Sequence, residues 1–249
     1  MKRVAVGWLT TAAGVIWVSV GPAAAQAPKA DEYISKPTTK TMIVERRPAE
    51  APPRLPFDKM PEAVRDAVRQ VVEGATLATH GTPETFACKP AQYYWFLDHP
   101  DRASIAWQRL GAKCMEVRDR GDGRFGWIDG QGSDIHWDTV LRGPRMRVWY
   151  AEGKVRPAAL LPLVPVRGVL VIQHAEGHDE SGRPLLRHHA DLYLYTDSKT
   201  AAWLTRMLGA SAPRIAEQYV GQLQMFFAAL AWYFDQHPEQ AAGLLAKEK

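Results

Sequence analysis

One stretch near the C-terminus restricts this chain to few architectures. From Ile215 the apolar residues fall at Ile215, Tyr219, Leu223, Phe226, Leu230 and Phe234, in steps of four or three. Ala216, Val220, Phe227 and Ala231 widen the stripe, so a broad face of one long helix must be buried. Ser211 and Pro213 mark its start, since a short hydroxyl caps free N–H groups and Pro is tolerated in a first turn. Gly209 closes a shorter helical piece before it, carrying Trp203, Leu204, Met207 and Leu208. The apolar surface that can cover such a helix lies in the strand-rich middle of the chain, Phe86 to Tyr195. The expected fold class is therefore α+β: an antiparallel sheet with a long C-terminal helix laid across it.

The first 25 residues read as an export signal. Lys2 and Arg3 form a positive start, Val4 to Val20 is apolar, and Ala23-Ala24-Ala25 offers a small-residue cleavage site. An uncleaved anchor is the alternative, but the apolar run falls short of the ~20 residues a spanning helix needs. The expected location is the periplasm, or outside the cell. Cleavage after Ala25 removes two basic residues and leaves 29 Lys and Arg against 27 Asp and Glu. That small excess gives no argument for nucleic acid. Cys88 and Cys114, the two cysteines, suit an oxidising compartment and are a candidate disulfide. Bridged, they would close a loop of about 27 residues, worth about 3 kcal/mol in the chain-entropy account. Two buried thiols are the alternative.

Residues 26–60 include Pro28, Pro37, Pro48, Pro52, Pro53 and Pro56 and few large apolar residues, the composition of a flexible linker. A domain over residues 61–240 and a short tail, 241–249, follow. The domain opens with a helix, with Asp58 as its cap and Val64, Ala67, Val68, Val71 and Val72 as its stripe. Thr85 to Cys88 reads as a first strand, and Pro90 opens a helix that Asp98-His99-Pro100-Asp101 breaks before a second one over 102–110. Strands are expected over 114–117 and 125–128 around Asp119-Arg120-Gly121-Asp122-Gly123, then over 135–141, 146–151, 168–174 and 186–195. Ile135, Trp137, Thr139 and Leu141 alternate onto one face. Pro157, Pro162 and Pro165 break the apolar run Val155 to Val166, which should be neither helix nor central strand.

This order of elements, with Phe96-Leu97-Asp98-His99-Pro100-Asp101-Arg102 followed by Trp107, resembles the helix-grip fold of the START-like (SRPBCC) superfamily over residues 82–237. The resemblance implies a hydrophobic tunnel between sheet and C-terminal helix, and an apolar ligand, a lipid above all. Its lining would come from Tyr219, Leu223, Phe226, Phe227 and Leu230 on the helix and Trp127, Trp137, Leu192 and Leu194 on the sheet. The same residues could instead fill a core. Leu160, Leu161, Leu163 and Val164, in the Pro-broken run, either form a lid over the tunnel mouth that makes transient membrane contact or fold back on the sheet as a covered loop.

No GxSxG, HExxH or glycine-rich phosphate loop is present, so no catalytic residue, metal or cofactor is assigned. His136 and Asp138 could make an acid–base pair, but alternation with Ile135 and Trp137 points them to water. His174, His188, His189 and Asp191 could converge on a metal. A turn centred on Glu180-Ser181 sets Ile172 opposite His189 and puts the histidines on the outer side, with Val171 and Leu192 facing the helix. The reading is an exported, non-enzymatic binding protein for a hydrophobic molecule. The alternatives are a cyclase-like or aromatase-like enzyme, as the same superfamily contains, and an envelope interaction module with a filled core.

Overall fold

Alternating apolar residues and tight Asp-Gly and Ser-Gly turns build most of this molecule as antiparallel hairpins. The computed structural model describes residues 19–20, 55–156, 162–197 and 212–246. In chain order the elements are β1 (Ser19–Val20), a 3-10 turn (Phe57–Lys59), α1 (Glu62–Glu73), β2 (Leu77–His80), β3 (Glu84–Ala87), α2 (Pro90–Asp98) and α3 (Pro100–Arg109). There follow β4 (Ala112–Lys113), β5 (Arg118–Gly121), β6 (Arg124–Ile128), β7 (Asp134–Gly143), β8 (Met146–Val155), β9 (Val164–His178), β10 (Pro184–Tyr195), α4 (Ala212–Gln236) and α5 (Pro238–Leu245). The fold is α+β, an open antiparallel sheet followed by a long C-terminal helix, an arrangement consistent with a helix grip. Strand order is β2-β10-β9-β8-β7-β6-β5, with β3 also on β10. β1 pairs only with β4, as a separate two-residue ladder.

Both faces of the sheet are covered, by different helices. Trp127, Trp137, Trp149, Leu170, Ile172 and Ala190 face α4 and join Phe226, Phe227 and Leu230 in one core. Val148, Tyr150, Val169, Val171 and Tyr193 face the other way and pack with Val68 and Val71 of α1. Each large side chain buried in this way contributes roughly 1.5–3 kcal/mol. The stripe on α4 is as its spacing predicts: Ala216, Val220, Phe226, Phe227, Leu230, Ala231 and Phe234 are buried, Tyr219 and Leu223 half-buried.

Among the strands, α4 runs closest to β2, β10 and β3, and it also meets α2. β2 and β3 lie end to end along the same edge of β10, pairing with Asp191–Leu194 and Leu185–His188 respectively. At the break between them Gln224 takes the place of a strand. Its Oε1 accepts from Ala190 N–H at 3.2 Å and its Nε2 donates to the Thr82 carbonyl at 2.8 Å.

Several expectations are corrected. The β9–β10 hairpin sets His188 opposite His174 and Asp191 opposite Val171, one residue away from the expected register. The loop holds five residues, 179–183, because Asp179 Oδ1 accepts from Ser181 and Arg183 N–H. A one-residue slip exchanges the faces of one strand relative to its partner. Val169 and Val171 consequently meet α1, and His174 turns inward, onto the face that His188 shares with Ala190 and Leu192.

In β7 a bulge between Thr139 and Leu141 sends Leu141 to the α1 face, away from Ile135 and Trp137. β5 occupies part of the expected turn, which is only Asp122-Gly123; Gly121, Asp122 and Gly123 all have positive φ. That is the backbone a two-residue Asp-Gly hairpin needs. Residues 114–117 are not a strand, and β2 is an unforeseen one.

Pro165 does lie in a strand, opposite Lys154, but at the start of β9, where no residue of β10 pairs with it. Asp58 sits in the 3-10 turn; Pro61 is at the N-cap of α1, with no side-chain cap. Within the expected linker, Leu55 and Met60 are buried, and Arg65 donates to the carbonyls of Phe57 and Met60. Residues 241–245 of the expected tail belong to α5; Arg109 donates to the Leu244 carbonyl in its last turn at 2.9 Å and to the Ala246 carbonyl just beyond it at 2.6 Å. The helical piece over 203–208 lies outside the described residues.

Candidate functional site

The grip is built from aromatic rings. Trp107 of α3 meets Phe226 of α4 at 6.2 Å between centroids, and Phe226 meets Phe227 at 4.9 Å. Phe227 then reaches Trp149 of β8 at 5.7 Å, Trp149 reaches Trp137 of β7 at 6.3 Å, and Trp137 reaches Phe125 of β6 at 5.9 Å. All these spacings lie in the range where rings attract one another. The half of the sheet remote from α4 is thus met by side chains, and the space beneath the helix is occupied by rings.

Of the expected lining, Trp127, Trp137, Phe226, Phe227 and Leu230 are buried together here, with Leu192 and Leu223 packed half-buried against them. Leu194 and Tyr219 are half-buried outside this cluster, Leu194 lying over Gly168. Burial raises the Tyr219 hydroxyl above its ordinary pKa. Among the lid residues, Leu160 and Leu161 lie outside the described residues. Leu163 is 38% exposed, whereas Val164 is buried and paired with Val155 as the first residue of β9, so it is strand and not lid.

Three polar atoms on the inner face lack any protein partner. Trp137 Nε1, Trp149 Nε1 and Thr139 Oγ1 are all buried. Thr139 stands directly opposite Trp149, and Trp137 is two residues from Thr139 on the same strand, so the three share one patch. An unmet buried donor costs about 1–3 kcal/mol. Thr139 is placed on this face by its alternation with Ile135 and Trp137, whereas Trp149 escapes notice in the sequence because Val148-Trp149-Tyr150 shows no alternation, being buried on both faces.

A second polar group lies where α2 meets β9 and β10. Glu84 and His188 are opposite each other on β3 and β10, with Glu84 Oε2 3.5 Å from His188 Nε2. The other ring nitrogen, Nδ1, is 2.7 Å from Tyr93 Oη. His174, facing His188 across the strand pair, packs on Tyr94 at 4.7 Å, and neither of its ring nitrogens has a partner. Burial, helped by the Arg147 charge, lowers its pKa to about 4. Burial likewise lowers His188, against the pull of Glu84. Tyr94 donates to Glu176 at 2.7 Å, and Arg147 holds Asp98 at 3.2 Å. Of this carboxylate–imidazole–phenol line only the phenol–imidazole link is a hydrogen bond; Glu84 Oε2 and His188 Nε2 make none. Tyr93 and His188 are closed to solvent, and their bond joins α2 to the sheet.

His189 and Asp191 remain on the outer face, Asp191 held by His80 at 2.7 Å and by Gln173 at 3.2 Å. The four residues therefore split between two faces, and among the described residues no cluster could hold a metal. His136 and Asp138 face outward as expected, in a surface pocket of about 290 Å³ with Arg120 and Arg124.

Cys88 and Cys114 are free thiols, not a bridge. Cys114 donates to the Ser104 carbonyl at 3.4 Å, and burial pushes its pKa up to about 11. Cys88 is fully buried, and burial with the nearby Asp235 and Glu176 charges pushes it up to about 12.

No family model matches the chain, and no curated protein matches it. Solved structures do. A conserved protein from Geobacillus kaustophilus is 14% identical over 61% of this chain and 95% of its own, with a TM-score of 0.39. A hypothetical protein from Helicobacter pylori is 9% identical over 75% and 99%, with a TM-score of 0.45. A truncated norcoclaurine synthase from Thalictrum flavum is 10% identical over 59% and 92%, with a TM-score of 0.32. At that level of similarity none bears on the chemistry of this chain.

Proposed function

We propose that this chain is an exported START-like domain that holds a hydrophobic small molecule, of lipid character, between its sheet and α4. The observation that carries the reading is the way the grip is filled. α4 runs along β2, β10 and β3, while the β7–β8 half of the face is reached by Phe227 on Trp149. Rings that bridge a gap between backbones can turn and leave room for an apolar guest; closely packed backbones cannot. Around that gap the inner face is apolar apart from the Trp137 and Trp149 indole N–H groups and the Thr139 hydroxyl, none of them an acid or a base, which favours binding over acid–base chemistry. No described helix is long and apolar enough to cross a membrane. The signal-like N-terminus supports a location at the cell envelope.

Titration of the purified protein with N-phenyl-1-naphthylamine tests the reading. The dye should brighten on binding and be displaced by a total lipid extract, and Leu223→Arg should abolish the signal while circular dichroism stays unchanged. A dye signal absent from the wild type, or equal in Leu223→Arg, overturns it. Fractionation and N-terminal sequencing test export, with Gln26 expected as the first residue of the mature protein. The β1 segment would leave with the signal, and its ladder with β4 is separate from the grip.

A further inference from the structure

The inner face of β7 and β8 carries donors that the protein itself leaves unused. Trp137 is 7% exposed and Trp149 6%, and neither indole nitrogen has a partner; nor does the Thr139 hydroxyl between them. Each indole can only donate. Their immediate neighbours in the core, Phe125 beside Trp137 and Phe227 beside Trp149, offer no oxygen. Trp107 Nε1, by contrast, donates to the Phe226 carbonyl at 2.9 Å. Unmet buried atoms occur elsewhere, on His174 and His188 among others, but Trp137, Thr139 and Trp149 bring three together on one apolar patch, at the place where a guest would lie.

We propose that Trp137, Thr139 and Trp149 form the polar anchor of the ligand site and receive the oxygen of an uncharged apolar molecule, a ketone, ester or amide. This rests on the binding reading above and deepens it. A carbonyl oxygen has two lone pairs and brings no donor of its own, which suits a patch rich in N–H. A carboxylate does not suit it, because burying an anion demands a paired cation. The cation two residues along β8 from Trp149 is Arg147, and it is committed to Asp98 at 3.2 Å and to the Gly143 carbonyl at 2.7 Å. For the guest to reach the anchor, Phe227 must turn away from Trp149.

Equilibrium dialysis of the purified protein against 2-acetylnaphthalene, 2-isopropylnaphthalene and 2-naphthoate tests the proposal. The three probes share an apolar body and differ in the group offered to the anchor. The ketone should bind about tenfold more tightly than the hydrocarbon, because a site built for a hydrogen bond rejects the analogue lacking it. The carboxylate should bind more weakly than the ketone. Trp149→Phe and Thr139→Val should each lower affinity for the ketone more than affinity for the hydrocarbon, and so erode the preference. Thr139→Val keeps side-chain shape, so it remains informative if the tryptophan variant is poorly folded. Equal affinity for ketone and hydrocarbon, or a preference that survives Thr139→Val, rejects the anchor while the binding reading stands. Failure of all three probes to bind rejects the binding reading and the anchor with it.

Discussion

A methyl group placed on Gly81 would fall 1.6 Å from Gln224 Oε1 and 2.8 Å from Val220 Cγ1. This contact is where the long helix is seated on the sheet, at the gap between β2 and β3. Gly81 N–H donates to the Ala190 carbonyl at 2.7 Å while Gln224 takes the Ala190 N–H, so β10 is satisfied on both sides of the break. Gly81→Ala should lower stability to urea by about 2–3 kcal/mol, the cost of overpacking a well-filled core. Gly130→Ala, with open space around it, is the control and should leave the midpoint within experimental error. Equal midpoints for the two variants would contradict the assigned seat of α4.

Trp107 ties α3 to the middle of α4 through its bond to the Phe226 carbonyl. Trp107→Phe keeps a ring beside Phe226 but removes the N–H. A loss of about 1–2 kcal/mol in urea unfolding is expected, from the hydrogen bond and the smaller ring together. An unchanged midpoint would show that the bond does not form in solution.

His174 makes stability depend on pH. Its folded pKa, about 4, lies below the ordinary value of 6.5. Between those values the unfolded chain carries a proton that the native one refuses, so stability is complete above pH 6.5 and falls as pH drops towards 4. The loss should reach about 3 kcal/mol for this group. His188, also lowered, adds in the same direction. His174→Phe should flatten the fall without removing it, as followed by urea midpoints at pH 7, 6 and 5. A variant with the wild-type slope would show that His174 is not the group responsible.

Both thiols should be slow to react. At pH 8 little thiolate forms at a cysteine whose pKa is near 11 or 12, and both side chains are at least half-buried. A maleimide should label neither in the native protein within the time that labels both in guanidinium. Absence of labelling in guanidinium before reduction would instead reveal a disulfide between Cys88 and Cys114.

The helices and strands of this fold are largely legible because they carry strong periodicity. The stripe from Ala216 to Phe234 and the Asp-Gly turn at 122–123 mark their own places. Sheet register was not legible for a physical reason. β9 reads Gly168-Val169-Leu170-Val171-Ile172, apolar at each position after the glycine, since Val169 and Val171 bury against α1 and Leu170 and Ile172 against α4. With two buried faces, hydrophobicity cannot choose between adjacent registers, and the turn length alone decides. Five loop residues held by Asp179 move His174 from the expected outer face to the inner one, which His188 shares by its alternation with Ala190 and Leu192. The bulge after Thr139 is equally silent in composition, and it sends Leu141 to the opposite face. Trp137, Phe226 and Phe227 were legible as inner residues because each follows its element's period. Trp149 was hidden, lying between Val148 and Tyr150 in a strand covered on both sides.

Native mass spectrometry of protein purified from its own host, followed by solvent extraction, tests the central claim most directly. The account predicts a bound species with the mass of an uncharged apolar molecule, released by solvent and missing from Leu223→Arg. Protein at its bare mass that takes up nothing from a total lipid extract would contradict it, and would leave α4 and the aromatic row as a filled core.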